Sequence, residues 1–357
     1  MIGESRNAPG GGSMSVEEIE HELAGLRMND DGTLALRSSV LNLVVVTDEP
    51  SAADVTQAVS GIAGRFPSRA IVLISDPSDE PNVDVQLSAF CSMRGAGAQV
   101  CAEQITIHAE GPPAEHLDSL AGPLLLPDLP VFLWYPGAFS SESQEFARLT
   151  GLADRIIIDS SASGECAASL RDIHALLEKP ETPAVGDLQW VGLSPWRSLL
   201  ADTFSAPERA GELEKIERVE IMYAPGGECR AALLVGWLAA TLGWSISDVN
   251  RDDEGLRATT FEGPSGEIAF EMSPSSPDVR LRRIRIRSAD YSFQVSRHHE
   301  ISDICTTVMR DGELQAERTV HIGSFDLGVL VGEELQYRGR DLAYEAALKI
   351  AVEVLGA

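Results

Sequence analysis

The sequence predicts two domains of different class: an α/β N-terminal domain with a mixed sheet, and an α+β C-terminal domain with a mainly antiparallel sheet covered by helices. Three observations carry this. Through the first ~200 residues, short continuous apolar runs alternate with helical patterns, as strands buried on both faces between helices require. Beyond about position 256 the runs alternate apolar with polar, the pattern of antiparallel strands with one wet face. Between the two regimes, Glu208 to Glu217 is charged and follows Pro207, which sets a boundary there. The reading is a disordered leader over 1–14, an α/β domain over 15–207 and an α+β domain over 208–357.

Ser15 to Arg27 opens the α/β domain, with Val16, Ile19, Leu23 and Leu26 spaced by three and four behind a serine cap, which makes an amphipathic helix. Leu41 to Val46, Ala52 to Ala63 and Ala70 to Ser75 then read as strand, helix and strand, a βαβ unit. Val83 to Met93 and Val100 to Ala109 alternate around the glycines of Arg94 to Ala98, so they form a hairpin with Cys91 opposite Cys101. Because Gly95 and Gly97 open no helix, they are not a dinucleotide fingerprint. Ala114 to Ala121 is helical and feeds GPLLLPDLPVFLWYPG, Gly122 to Gly137, where three prolines forbid a continuous helix and Val131 to Tyr135 becomes a buried strand. A helix near Glu142 to Gly151, a strand at Arg155 to Ile158 and a helix at Cys166 to Leu177 follow. Val185 to Phe204 ends helically, with Ser194 as the expected cap and Pro195 at the first helical position.

The C-terminal domain begins with a strand at Val219 to Tyr223 and a helix at Cys229 to Leu242. Leu256 to Glu262, Glu267 to Met272, Val279 to Arg287, Tyr291 to Ser296 and Ile301 to Met309 form the meander, with Gly263 to Gly266 as a hairpin turn. Helices at Asp326 to Tyr337 and Leu342 to Leu355 complete it.

At 357 residues with 44% hydrophobic and 23% charged content, the chain reads as a soluble globular protein. No apolar run reaches the roughly 18 residues of a membrane span, and the N-terminus lacks a signal pattern, so a cytoplasmic protein with no membrane partner is expected. A net charge of -27 argues against a nucleic-acid partner, because the phosphate backbone would be repelled over most of the surface. Cys91, Cys101, Cys166, Cys229 and Cys305 include no CxxC, so neither zinc nor a thioredoxin-type motif is indicated, and the compartment favours thiols. The facing pair Cys91 and Cys101 is either two small unoxidised core residues or a cross-strand disulfide or redox switch.

No catalytic, cofactor or metal site stands out. His298-His299-Glu300 with Asp303 reads as a turn, since adjacent histidines on a strand point to opposite faces. Arg283, Arg285 and Arg287 alternate with Ile284 and Ile286 and line one strand face, either a site for a phosphate or an acidic partner surface, or a face paired with cross-strand acids. Trp134, Tyr135, Trp190 and Trp196 are either core or interface anchors.

Eight stretches together resemble the OpcA family of glucose-6-phosphate dehydrogenase assembly proteins: LNLVVV from Leu41, PSRAIVL from Pro67, CAEQI from Cys101, PLLLPDLPVFLWYPG from Pro123, DRIIIDS from Asp154, VGDLQW from Val185 with SPWR from Ser194, GWLAATLGW from Gly236, and GEELQYRGRDLAYEAAL from Gly332. The resemblance implies a protein without catalysis of its own, which binds that dehydrogenase and promotes its active oligomeric form or its substrate affinity. Candidate partner-binding residues are then Asp128, Trp134, Tyr135, Asp187, Trp190, Trp196 and Arg197. The alternative is a sugar-phosphate-binding enzyme using the strand-end crevice near Asp128, Asp187 and Arg197, or a redox-sensing regulator at Cys91 and Cys101.

Overall fold

A computed structural model describes residues 4–7, 12–28, 36–37, 39–77, 80–94, 98–251, 257–275, 280–297, 303–323 and 325–356. Contacts group the chain into two compact units. The first comprises Met1–Asp159, Glu181–Leu188 and Asp326–Arg340, the second Ser160–Pro180, Gln189–Phe325 and Asp341–Ala357.

The first unit holds β1 (Glu4–Asn7), α1 (Val16–Leu26), β2 (Leu36–Arg37), β3 (Leu41–Thr47), α2 (Ala52–Ile62), β4 (Ser68–Asp76), β5 (Asn82–Arg94), β6 (Ala98–Glu110), α3 (Leu117–Ala121), β7 (Val131–Tyr135), α4 (Gln144–Thr150) and β8 (Arg155–Ile158). Its sheet runs β1-β5-β6-β4-β3-β7-β8 and ends on β9 (Ala184–Asp187), with β2 beside the start of β6. From β6 to β9 every pairing on that path is parallel, whereas β5 and β1 join antiparallel, so the sheet is mixed. Counted along the chain, the parallel strands β3, β4, β6, β7, β8 and β9 lie in the spatial order third, second, first, fourth, fifth, sixth. That is the order of a doubly wound nucleotide-binding sheet, with its switch point between β3 and β7.

The sequence reasons are direct. β3, β7 and β8 are buried at every position, which is why their apolar residues do not alternate. The prolines before β7 end a short 3-10 turn at Gly122–Leu124, and the freed backbone is taken up by the buried amide of Asn42. Its Nδ2 donates to the Leu126 carbonyl at 3.0 Å, and its Oδ1 accepts from the Leu126 N–H at 2.8 Å. Two features were hidden from sequence. Glu4–Asn7, inside the expected leader, pairs with Ser88 to Cys91 because the edge of β5 offers unpaired backbone groups. β9 is only four residues long and contains a glycine, so nothing in its composition announces a strand.

The second unit holds α5 (Cys166–Leu177), the single turn α6 (Leu188–Val191, whose first residue falls in the first unit), α7 (Ser194–Phe204), α8 (Pro207–Ala210), β10 (Ile216–Tyr223) and α9 (Glu228–Leu242). After these come β11 (Ser245–Arg251), β12 (Arg257–Gly263), β13 (Gly266–Pro274), β14 (Leu281–Ser288), β15 (Tyr291–Arg297), β16 (Asp303–Arg310) and β17 (Glu313–His321). The helix α10 (Leu327–Glu334) belongs to the first unit, packed on α2, and α11 (Leu342–Val354) to the second. The second sheet runs β11-β12-β13-β10-β14-β15-β16-β17, antiparallel throughout except for β10 beside β13.

β10, β13 and β14 alternate buried with half-buried or exposed residues, so one face is apolar and the other polar. Helices cover the apolar face: the Phe204 ring of α7 lies 4.3 Å from that of Phe293. β11 and β17 escape a sequence reading, β17 because eight of its nine residues are exposed and no period-two signal exists. The cap of α7 differs by one position from expectation. Leu193 occupies it and Ser194 is the first helical residue, its hydroxyl accepting instead from Arg197 at 3.2 Å.

Candidate functional site

On β14, Ile284 and Ile286 point into the core at 0% exposure, which sends Arg283, Arg285 and Arg287 to the opposite face. Antiparallel register then decides their neighbours. Arg285 lies between Glu220 of β10 and Gln294 of β15, and Arg287 between Arg218 and Ser292, whereas Arg283 lies between Met222 and Ser296. Glu220 accordingly gathers Arg218 at 3.1 Å, Arg287 at 3.4 Å and Arg285 at 3.8 Å, while Arg218 also meets Glu271. Two arginines of the stripe are thus balanced by cross-strand acids.

Arg283 is not. Among the described residues it has no ion pair, and burial together with the neighbouring Arg285 pushes its guanidinium below the ordinary arginine range. It opens onto a cavity of about 470 Å³ lined by Met222, Ser275, Arg282, Arg283, Gln294, Ser296 and Arg297. Burial also lowers Arg297, whose guanidinium lies over the Phe325 ring at 5.6 Å. An electropositive hollow at the end of an otherwise neutralised face can hold an oxyanion.

The other expected site residues are dispersed. Asp128 is exposed in the loop before β7 with a left-handed φ of 63°, whereas Tyr135 is the last residue of that strand, so the two sit at its opposite ends. Tyr135 and Asp187 share the carboxyl edge of the parallel strands, with Ile158 between them. Trp134 is fully buried and Tyr135 nearly so; the Tyr135 ring packs 5.3 Å from Phe146, and burial and then the Glu145 carboxylate push its phenol well above the usual range. In the second unit Trp190 and Trp196 are buried, the Trp190 Nε1 donates to Asp341 at 2.8 Å, and the Arg197 guanidinium stacks 3.5 Å over the Trp190 ring. The three tryptophans are core residues and present no surface to a partner.

Cys91 and Cys101 face each other across the hairpin as expected, but their sulfurs are bonded, as are those of Cys166 and Cys229 at the starts of α5 and α9. The expectation of thiols is corrected by proximity that the fold imposes, and a separation of 63 residues concealed the second pair. His298, His299 and Glu300 lie outside the described residues. Among the described residues, no group of three or more His, Cys, Asp or Glu side chains could hold a metal.

Where a doubly wound sheet places its glycine-rich phosphate turn, after β3, this chain has Thr47-Asp48-Glu49-Pro50-Ser51. The Asp48 carboxylate accepts from the N–H of Ser51, the residue that precedes α2, at 3.0 Å and so stands just ahead of the helix.

The stretches that carry the resemblance instead hold one another. In the first unit, Asn42 braces the proline loop, Asp154 accepts from the Val131 N–H at 2.8 Å, and Arg69 pairs with Glu103 at 2.8 Å with both side chains buried. Arg155 of DRIIIDS binds Glu334 of GEELQ and donates to the Gly339 carbonyl at 2.7 Å, packed on Gly186 of VGDLQW, where a Cβ would overlap the Glu334 carboxylate. In the second unit, Gly236 of α9 lets α11 approach until a Cβ would overlap the Ala347 carbonyl.

Comparison with known proteins places this architecture. A family model described as the glucose-6-phosphate dehydrogenase subunit N-terminal domain matches residues 59–175, and one described as its C-terminal domain matches 183–348. A Synechocystis sp. protein, named OpcA and assigned provisionally to the OxPP cycle, is 34% identical over 309 residues, covering 82% of this chain and 65% of its own length. A Nostoc punctiforme protein with the same description is 32% identical over 185 residues, covering 51% and 39%. The chain therefore spans just under two thirds of the first relative and well under half of the second. A crystal structure of a KijD10 mutant, a 3-ketoreductase from Actinomadura kijaniata in complex with TDP-benzene and NADP, matches with a TM-score of 0.51 at 8% identity over 88% of this chain and 96% of that one, a likeness of fold alone. With both domain models matched in order over most of its length, the chain belongs to the OpcA family of glucose-6-phosphate dehydrogenase subunits.

Proposed function

We propose that this protein is a non-catalytic, cytoplasmic assembly factor and allosteric activator of glucose-6-phosphate dehydrogenase. The observation that carries this reading is the pair of adjoining domain models, both described as parts of a subunit of that enzyme. Two structural features support it. The turn after β3 carries acids where a dinucleotide site needs glycines, and the motif side chains are engaged in packing and ion pairs within the fold. An activator of this kind works by binding the active state of its partner better than the inactive one, and each ~1.4 kcal/mol of difference moves that equilibrium tenfold.

The polar face of the second sheet is the surface we assign first to the dehydrogenase, because Arg287 is 50% exposed there at the rim of a charged network. Asp128, exposed on the proline loop, is the second place to probe. The test mixes purified protein with purified dehydrogenase and follows sedimentation and the apparent substrate affinity. A heavier species or a shifted KM is expected, and Arg287→Glu should weaken either effect. No change in sedimentation or in KM refutes the assignment of partner; an effect that Arg287→Glu leaves intact refutes only the docking face.

A further inference from the structure

We infer that the hollow between Arg282, Arg283 and Arg297 is a binding site for a small phosphomonoester with a hydroxylated body. The inference stands apart from the proposed partner, since it concerns a ligand bound by this chain alone.

Charge is the first ground. In a chain of net charge -27, acids outnumber bases about two to one, and a lone exposed arginine finds a carboxylate easily. Arg285, Arg287 and Arg218, on the same face, each do. Yet among the described residues Arg282, Arg283 and Arg297 make no ion pair; Arg285 and Arg282 oppose the Arg283 charge, and Glu220 favours it only from a distance. Arg285 and Arg282 repel the Arg283 charge, Glu220 offsets less than Arg285 adds, and an oxyanion in the hollow relieves that repulsion.

Hydrogen bonding is the second. The Nε atoms of Arg283 and Arg297 and the hydroxyl of Ser275 are buried without a partner in the protein. Buried donors of this kind are uncommon in folded proteins, and three of them around one hollow call for a partner such as a water or an ion. Both Nε groups belong to planar forks suited to a phosphate, which accepts two parallel hydrogen bonds from one guanidinium.

Size and lining supply the third. At about 470 Å³ the cavity falls in the range of small-molecule sites and is several times larger than a bare phosphate. Ser275, Ser296 and Gln294 line the remainder. The Gln294 Oε1 is already held by Arg285 at 2.9 Å, which fixes the amide and leaves its NH₂ as a donor. Two hydroxyls and an amide match a hydroxylated body better than an apolar or aromatic one.

The experiment is isothermal titration of the chain alone with a hexose 6-phosphate, inorganic phosphate, sulfate and the unphosphorylated hexose. The hexose phosphate should bind at least tenfold more tightly than inorganic phosphate, and the free hexose should not bind measurably. Arg283→Gln and Arg297→Gln should each weaken the hexose phosphate at least tenfold, with circular dichroism confirming that the variants fold. Ser296→Ala, a mild change, should weaken the hexose phosphate while leaving inorganic phosphate unaltered. No binding of any phosphate, equal binding of hexose phosphate and inorganic phosphate, or binding that survives both arginine variants would each overturn the inference.

Discussion

Glu334→Gln should destabilise the first unit by about 3 kcal/mol, and the reason lies in what it leaves behind. Arg155 is 2% exposed and Glu334 2%, so both charges are out of water. Arg155 spends its Nε at 3.1 Å and one terminal nitrogen on the same Glu334 oxygen, and its other terminal nitrogen on the Gly339 carbonyl at 2.7 Å. Removing one partner of a buried pair costs about 3–5 kcal/mol, because the surviving charge keeps its desolvation penalty without its compensation. Glutamine retains an acceptor of the same shape, which places the cost at the lower end of that range. In a unit of this size each kcal/mol shifts the midpoint by about 2–4 °C, so a fall of ~6–12 °C is expected by differential scanning calorimetry. The paired replacement Arg155→Met with Glu334→Leu removes both charges and should recover most of the loss. A drop below ~2 °C for Glu334→Gln, or a double variant no more stable than the single one, would refute the view that charge desolvation dominates here.

Gly236→Ala should separate α9 from α11 and cost at least ~1–3 kcal/mol in urea unfolding, since the added Cβ meets backbone rather than a movable side chain. The disulfides should differ in worth: a separation of 63 residues gives Cys166–Cys229 about 4 kcal/mol by loop entropy, against roughly 3 for Cys91–Cys101 at a separation of 10, so Cys166→Ser should lower the urea midpoint more than Cys91→Ser. Thiol labelling under denaturing conditions, before and after reduction, should expose four additional thiols, and fewer would show that one pair is not bonded. Glu212 also couples stability to pH. Burial opposes its charge, but hydrogen bonds from Lys215 at 2.8 Å and Ser288 at 2.6 Å outweigh burial and hold its pKa below the ordinary value. Its contribution is therefore complete above the unfolded value of ~4.3 and is lost as pH falls through the lower folded value, so Glu212→Gln should flatten the acid limb of the stability curve.

What the sequence revealed followed from how strongly each element is patterned. β3, β4 and β7 are apolar runs bounded by turn residues and were legible to within two residues, as was α9 from its unbroken apolar length. β9 and β17 were not, one because Gly186 dilutes a four-residue strand, the other because an exposed edge carries no alternation. The arginine stripe was legible because period two in a strand fixes which side chains share a face. That Arg283 lacks an acid while Arg285 has one was not, since it depends on the register of β14 against β10, and register is a tertiary fact. Cys166 and Cys229 met for the same reason.

The fold carries the frame of a nucleotide site without its phosphate cradle, and this supplies a sharp test. Asp76 closes β4, the second parallel strand, at the position where doubly wound folds hold a ribose with an acid. The pyrophosphate of a bound dinucleotide would meet the start of α2, where the dipole alone would welcome it. Here Asp48, Glu49 and Asp54 stand exposed around that helix end, and the Ser51 N–H already serves Asp48. At ~6 Å each carboxylate opposes each phosphate charge by about 1–3 kcal/mol, depending on screening. No glycine in Thr47 to Ser51 allows the backbone to approach a phosphate closely enough to offset this. NADPH fluorescence titration of the chain alone should show no saturation at micromolar ligand. Saturable binding there, lost in an Asp76→Ala variant, would mean that the acidic turn rearranges on binding and that this protein keeps a nucleotide site.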